Sequence, residues 1–172
     1  MNHPGRLRLL PGAAEAIRRL NAAGVPAIVV TNQSGLARGY FSEAVLTAVH
    51  TALVEELKKE GAYLDGLYVC PHHPTEGTPP FRTDCECRKP KPGLLLRAAV
   101  DLDVDLTRSW MVGDKPSDIL VGRRVGARTA LVLTGYGLGE WERHRDAFEV
   151  PPDHVADDLL DAVRWILESG TA

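Results

Sequence analysis

Short apolar segments that alternate with helical patterns constrain the fold of this chain more than any other feature. The segment Val25–Val30 is apolar on both faces, which is typical of a strand in a parallel sheet covered on both sides. Further strands are predicted at Leu67–Cys70, Ser109–Val112, Thr129–Leu133 and His154–Ala156. Strands that alternate with helices form βαβ units, so the sequence predicts a single α/β domain over residues 1–172 with a doubly wound parallel sheet.

Helical periodicity fills the intervals between the predicted strands. Ser42 is placed to cap a long helix, and Asp157 is placed to cap the last one. Pro92 can occupy the first position of the helix between them. Residues 134–152 show no clear period, so we expect irregular chain there, with one helical turn around Trp141.

The charge balance and hydropathy exclude several classes of function. Lys and Arg number 20 and Asp and Glu number 23, a net charge of −3, so no large basic field is available for nucleic acid. No apolar run is long enough to cross a bilayer. Arginines interrupt the N-terminal region, which argues against a signal peptide. We therefore expect a cytoplasmic protein that binds neither nucleic acid nor a membrane. We also expect a monomer whose partner is a small molecule.

A proline-rich stretch at residues 70–88 holds all three cysteines, an odd number that opposes a disulfide framework. Its two ends read Cys-Pro-His and Cys-Glu-Cys, a Cys₃His set that suits tetrahedral zinc in a closed structural site. Zinc would stabilise a loop that has no apolar core of its own. His73 is the alternative imidazole ligand, and a group of buried thiols without metal is the alternative explanation. The candidate zinc ligands are Cys70, His72, Cys85 and Cys87.

Polar side chains follow the predicted strands at the points where the strands end. Ligands of parallel sheets bind beyond these carboxyl ends. Thr31 ends the first strand, and the hydrogen-bonding groups of Asn32, Gln33 and Ser34 come next. Asp114 follows another strand and offers a hard oxygen ligand for Mg²⁺. These strand ends are therefore predicted to line a ligand site that includes a candidate magnesium ligand, and an ordinary polar turn at the end of a strand is the alternative interpretation of residues 31–34.

A basic turn precedes the third predicted helix. Arg88 can bind a phosphate or a sugar hydroxyl through its planar guanidinium, and Lys89 can act as a point charge on phosphate. Taken alone, such a turn is more often a solvated basic segment. Asp114 has a comparable alternative role as the N-cap of the following helix. Asp118, one turn later, could orient Lys115 or a metal-bound water.

In combination, these motifs resemble the haloacid dehalogenase-type phosphatases. Thr-Asn-Gln-Ser-Gly, Cys-Arg-Lys-Pro-x-Pro-Gly and Gly-Asp-Lys-x-x-Asp occur in that order, together with the cysteine cluster, as in the zinc-containing branch of the family. The likeness extends from Pro11 to the last helix. It implies that Thr31 binds the transferring phosphoryl group, that Lys89 neutralises it and that Asp114 holds Mg²⁺. It also implies that Lys115 lies beside that metal.

The same resemblance assigns roles to the remaining candidates. Arg88 matches a substrate-recognition position, and Arg38 and Tyr40–Phe41 fall where a small cap-like loop approaches the substrate. The residues implied to line the pocket are Asn32, Gln33 and Ser34. The residues that match the family's zinc ligands are Cys70, His72, Cys85 and Cys87.

The implied activity is Mg²⁺-dependent removal of a phosphate from a sugar bisphosphate. The favoured substrate is D-glycero-D-manno-heptose 1,7-bisphosphate, from which the 7-phosphate is removed. Histidinol phosphate is the alternative substrate. A further alternative is a zinc-bearing domain that binds a phosphosugar or a protein without catalysis.

One family motif is not found in this sequence. The first motif, Asp-x-Asp-Gly-Thr, supplies the nucleophile and the general acid/base, but no aspartate precedes Asp65. The resemblance implies that the first, central strand is missing, between the strands that end at Thr31 and at Asp114. We therefore expect little or no activity from these 172 residues. A misplaced start is the favoured explanation, and a true truncation is the alternative.

Overall fold

The structure is a computed structural model that describes residues 4–170. The chain divides between Arg88 and Lys89 into two compact units. Every strand pairing in the described residues is parallel, in a two-stranded sheet of order β1-β2 and a three-stranded sheet of order β3-β4-β5. Parallel strands joined through helices confirm the predicted α/β class.

In the first unit, the residues described up to Arg88 contain two α-helices and two strands. Its elements are α1 (Ala13–Ala22), β1 (Ile28–Asn32), α2 (Glu43–Lys59) and β2 (Gly66–Cys70). Ser42 caps α2 as predicted, because its hydroxyl accepts the N–H of Val45. β1 and β2 run in register from the pair Ile28 and Gly66 to the pair Asn32 and Cys70.

Two side chains fix the connections of the first unit. The carboxylate of Asp65 accepts the N–H of Ala27 at 2.7 Å, which links the starts of β1 and β2. The amide of Asn21 binds the backbone of Tyr63 in both directions, accepting from its N–H and donating to its carbonyl. The bond between Asp65 and Ala27 lies directly before the register pair of Ile28 and Gly66, and the same register places Asn32 opposite Cys70 at the carboxyl ends of the two strands.

In the second unit, residues 89–170 contain three strands and four α-helices. Its elements are α3 (Gly93–Leu102), β3 (Trp110–Gly113), α4 (Pro116–Arg124), β4 (Arg128–Val132), α5 (Gly137–His144), β5 (His154–Ala156) and α6 (Leu159–Glu168). Residues 4–6, 106–108 and 145–147 form single 3₁₀ turns in the two units. The central strand β4 pairs with β3 on one side, where Leu131 lies opposite Gly113. It pairs with β5 on the other side, where Val132 lies opposite Ala156.

The core of the second unit forms around this central strand. Ala130, Ala156 and Ala162 are fully buried, and Trp165 packs against them from α6. Thr129 is also fully buried, and its N–H and hydroxyl both donate to Asp153. Because its polar groups are paired, a buried threonine is tolerated in an otherwise apolar strand.

Several predicted elements differ from the structure. The first strand, predicted at Val25–Val30, runs instead from Ile28 to Asn32. The prediction of irregular chain over residues 134–152 is wrong in part, because α5 forms two helical turns there. Two glycines in its first turn weaken the helical signal in the sequence, whereas Trp141 and Phe148 pack edge to face and stabilise it. Asp158, not Asp157, caps α6. Pro92 precedes α3 as its N-cap rather than occupying its first position.

None of the helices in the described part of the chain combines the length and the apolar character needed to cross a bilayer.

Candidate active site and metal centre

The predicted zinc ligands come together at the carboxyl end of β2. The ligand atoms of Cys70, His72, Cys85 and Cys87 all lie within 4.8 Å of one another. The Sγ atoms are separated by 3.0 to 3.5 Å, and His72 Nδ1 lies 3.3 Å from Cys87 Sγ. Tetrahedral Zn–S bonds of about 2.3 Å separate ligand sulfurs by about 3.8 Å, so a modest expansion would admit the ion. The cluster could therefore hold zinc.

The alternative ligand, His73, is engaged elsewhere. Its Nδ1 accepts the backbone N–H groups of Thr75 and Glu76, at 3.3 and 2.9 Å. The structure thus places His72 in the cluster and gives His73 a role in the fold of the loop.

Crowding changes the proton affinity of the three thiols. Burial raises the pKa of Cys70 above its ordinary value. Burial and the two neighbouring thiols raise the pKa of Cys87 strongly. Burial also opposes ionisation of Cys85, but hydrogen bonds from Cys87, Cys70 and backbone N–H groups outweigh it and lower the pKa of that thiol. Three thiolates at this spacing repel one another unless a cation binds them, and that requirement is the chemistry of a metal site.

Two backbone carbonyls of the cysteine–histidine cluster accept hydrogen bonds from residues of the same unit that are predicted to bind the substrate. The N–H of Gln33 donates to the carbonyl of Cys70 at 2.7 Å, and Arg88 Nη1 donates to the carbonyl of His72 at 3.2 Å. The side-chain amide of Gln33 also donates to Thr31 Oγ1 at 3.0 Å. The predicted zinc loop therefore holds groups that the sequence assigns to the phosphate pocket.

The predicted cap-like loop is attached to the zinc loop as well. Arg38 Nε lies 3.1 Å from Glu76 Oε2, and Arg38 Nη2 lies 3.1 Å from His73 Nε2. Gly77, with φ +89°, approaches the carbonyl of Ala37 so closely that a Cβ would collide with it. Arg38 thus links two loops of the first unit.

In the second unit, Lys89 and Asp118 form a buried ion pair, with Nζ 2.8 Å from Oδ1. Asp118 therefore orients Lys89, where the sequence suggested that it could orient Lys115. The ammonium of Lys115 lies 4.0 Å from the ring centroid of Tyr136, a cation–π contact.

Asp114 is not the N-cap of α4, a position that Lys115 occupies. Its Oδ2 instead accepts the N–H of Tyr136 at 3.0 Å. Within residues 4–170, Oδ1 of Asp114 has no hydrogen-bond or ion-pair partner, so one carboxylate oxygen is available to a hard cation such as Mg²⁺. A single pocket that joins Asp114 to Thr31 remains a prediction.

Sequence reasoning missed the loop that follows β4. The strand-end rule applies to β4 as it does to the other strands, and residues 134–137 read Thr-Gly-Tyr-Gly. Tyr136 of this loop contacts both Asp114 and Lys115.

Comparison with known proteins assigns this combination of fold and motifs to a family. Residues 86–162 match the HAD-hydrolase-like family model. A D-glycero-beta-D-manno-heptose-1,7-bisphosphate 7-phosphatase of Pasteurella multocida is 45% identical over 136 residues, which are 78% of this chain and 73% of the relative. The chain belongs to the HAD-like phosphatases, which are phosphoric monoester hydrolases, and the predicted family is confirmed.

Longer alignments lead to the same group of enzymes. The D-glycero-D-manno-heptose-1,7-bisphosphate 7-phosphatase of Thermosynechococcus vestitus is 44% identical over 93% of this chain and 83% of its own length. The crystal structure of D,D-heptose 1,7-bisphosphate phosphatase from B. bronchiseptica, complexed with magnesium and phosphate, superposes with a TM-score of 0.84 at 34% identity. That match covers 98% of this chain and 89% of the other.

Proposed function

We propose that the function of this protein is to remove one phosphate from a sugar bisphosphate. The proposed substrate is D-glycero-D-manno-heptose 1,7-bisphosphate, and the group removed is its 7-phosphate. The observation that carries the proposal is the 44% identity to a relative of that name over 93% of the chain. The buried pair of Lys89 and Asp118 and the zinc-type cluster support it, because both match motifs of that family.

Each residue has a defined role in this proposal. Thr31 and Lys89 bind the transferring phosphoryl group, where positioning and charge stabilisation dominate catalysis. Asp118 keeps the ammonium of Lys89 in place. The residues proposed to bind the rest of the substrate are Asn32, Gln33, Ser34 and Arg88.

Asp114 holds Mg²⁺ in this proposal, with Lys115 beside it. The ion, when bound, neutralises charge on the phosphate oxygens. Cys70, His72, Cys85 and Cys87 hold zinc, whose role is to fix the loop that carries Arg88.

The attacking carboxylate is not among these residues. Asp-x-Asp-Gly-Thr occurs nowhere in the 172 positions. We propose that hydrolysis requires a strand bearing this motif in addition to the residues described, and that the 172-residue polypeptide releases phosphate only at the background rate.

The test compares the 172-residue chain with the same chain extended at its N-terminus by a strand carrying Asp-x-Asp-Gly-Thr. Phosphate release is measured on the heptose bisphosphate and on histidinol phosphate, with and without Mg²⁺. We expect Mg²⁺-dependent turnover of the heptose bisphosphate by the extended chain alone. Lys89→Met should abolish it, and Lys91→Met, in the same basic turn, should not.

Three other outcomes would each contradict one part of the proposal. Turnover by the 172-residue chain would contradict the assignment of the nucleophile. Faster turnover of histidinol phosphate would reassign the substrate. Mg²⁺-independent binding of a phosphosugar by the extended chain, without hydrolysis, would favour the non-catalytic alternative.

A further inference from the structure

The turn between β4 and α5 meets Asp114 at two points. The N–H of Tyr136 donates to Asp114 Oδ2 at 3.0 Å. Gly135, with φ +66°, lies so close that a Cβ at this position would collide with the same oxygen. The turn therefore contacts one carboxylate oxygen of Asp114 through backbone groups alone.

A second glycine anchors the other side of the turn. Gly137 lies against the carbonyl of Val132 with no space for a Cβ. The turn is thus fixed to the end of β4 while it reaches towards the loop after β3. Burial of apolar surface does not explain why the turn approaches so closely, because Tyr136 is 65% exposed.

We infer that Gly135 and the N–H of Tyr136 position Asp114 so that it presents one oxygen, Oδ1, to a divalent cation. A carboxylate with one oxygen fixed by an N–H donor keeps a single orientation, whereas an unrestrained one rotates and can bind through either oxygen. Gly135 is then a positioning residue for the magnesium ligand. The inference rests on the proposed role of Asp114 as that ligand.

Glycine meets both requirements at position 135. A left-handed backbone conformation is accessible to glycine without steric penalty. The space beside Asp114 Oδ2 is too small for a methyl group. An alanine would have to displace either the turn or the carboxylate, and either displacement changes the direction of Oδ1.

The test uses Mn²⁺, a hard cation that shares the ligand preferences of Mg²⁺. Zinc-saturated protein is titrated with Mn²⁺, and paramagnetic broadening of the backbone amide signals of residues 113–115 and 134–137 gives the dissociation constant. This readout needs no turnover. Asp114→Asn identifies the part of the signal that depends on the carboxylate.

We expect Gly135→Ala to weaken Mn²⁺ binding by about tenfold, the effect typical of a lost outer-shell contact. Gly139→Ala is the matched control, because a Cβ at that exposed position of α5 meets nothing within 4 Å. It should leave the dissociation constant unchanged.

A second pair of variants covers the case in which Gly135→Ala fails to fold. Tyr136→Pro removes the N–H at a residue whose φ, −89°, is near the range of proline, and Tyr136→Leu removes the ring but keeps the N–H. Weaker Mn²⁺ binding by Tyr136→Pro than by Tyr136→Leu is the expected result.

The outcomes separate the inference from the proposed function. If wild type binds Mn²⁺ through Asp114 but Gly135→Ala and Tyr136→Pro bind as tightly as their controls, the inference is wrong and the proposed metal ligand stands. If the broadening in wild type does not depend on Asp114, the proposed ligand is wrong and the inference falls with it.

Discussion

Lys89 and Asp118 bury opposite charges against each other. Nζ lies 2.8 Å from Oδ1, and the two side chains are 11% and 7% exposed. Gly113 adjoins the pair, because a Cβ on this residue would collide with the side chain of Asp118. The ammonium that the sequence assigns to phosphate binding is thus oriented by a carboxylate from the first turn of α4.

Asp118→Asn should reduce the free energy of unfolding by about 3 kcal/mol, because the ammonium of Lys89 then stays buried without this counter-charge. Urea unfolding of the zinc-loaded protein measures the change. Glu56→Gln, which breaks the exposed pair of Glu56 and Lys59, is the control and should leave the transition in place. A similar small effect of both substitutions would show that the buried pair does not stabilise the fold.

The N-terminus of α6 permits a direct comparison of two adjacent aspartates. Asp158 Oδ1 accepts the N–H of Asp161 at 2.9 Å, whereas the carboxylate of Asp157 makes no such cap. Asp158→Ala should therefore lower the free energy of unfolding by about 1 kcal/mol, and Asp157→Ala by much less. Thermal unfolding of the two variants decides between them, and equal destabilisation would contradict the assignment of the cap.

This adjacent pair shows where sequence reasoning stops. Both aspartates precede the helical pattern, and only the backbone geometry at Asp158 identifies the cap. Ser42, which has no competing neighbour, is predicted correctly. Local signals therefore predict that an element exists more reliably than they predict its first residue.

Contacts between residues that are far apart in the sequence are the second kind of feature that sequence reasoning did not predict. The spacing of Cys-x-His and Cys-x-Cys predicts the cluster, because its members flank one loop. The pairing of Lys89 with Asp118 and the contact of Tyr136 with Asp114 join different elements of the second unit. No local pattern encodes these contacts, since they arise only when parallel strands bring their carboxyl ends to one edge.

Zinc release should follow the protonation of the cysteines. A metal ligand must be a thiolate, and burial raises the pKa of Cys70 and of Cys87 above the ordinary value, so protons compete with zinc at higher pH than for free thiols. As pH falls, affinity for zinc falls; as pH rises, affinity increases. A chromophoric chelator at a series of pH values measures the release.

Cys87→Ser should shift that release to higher pH, because a hydroxyl is a poor zinc ligand at neutral pH. Ser109→Ala, outside the cluster, is the control. Release that does not depend on pH would contradict a thiolate-bound metal.

The contact of Gly77 with Ala37 provides the sharpest test of how the two loops of the first unit pack. Gly77 and Gly39 both have positive φ, +89° and +71°, but a Cβ on Gly77 would collide with the carbonyl of Ala37, whereas one on Gly39 meets nothing within 4 Å. Alanine at either position incurs a left-handed strain of about 1 kcal/mol. Gly77→Ala adds an overpacking penalty of about 1–3 kcal/mol.

We therefore expect Gly77→Ala to destabilise the protein more than Gly39→Ala does. It should also accelerate hydrogen exchange of the Arg38 and Tyr40 amides, which donate to Ser34 and Gly35 within the same loop. Exchange that is equally fast in both variants would show that the loop carrying Arg38 holds its shape without the zinc loop.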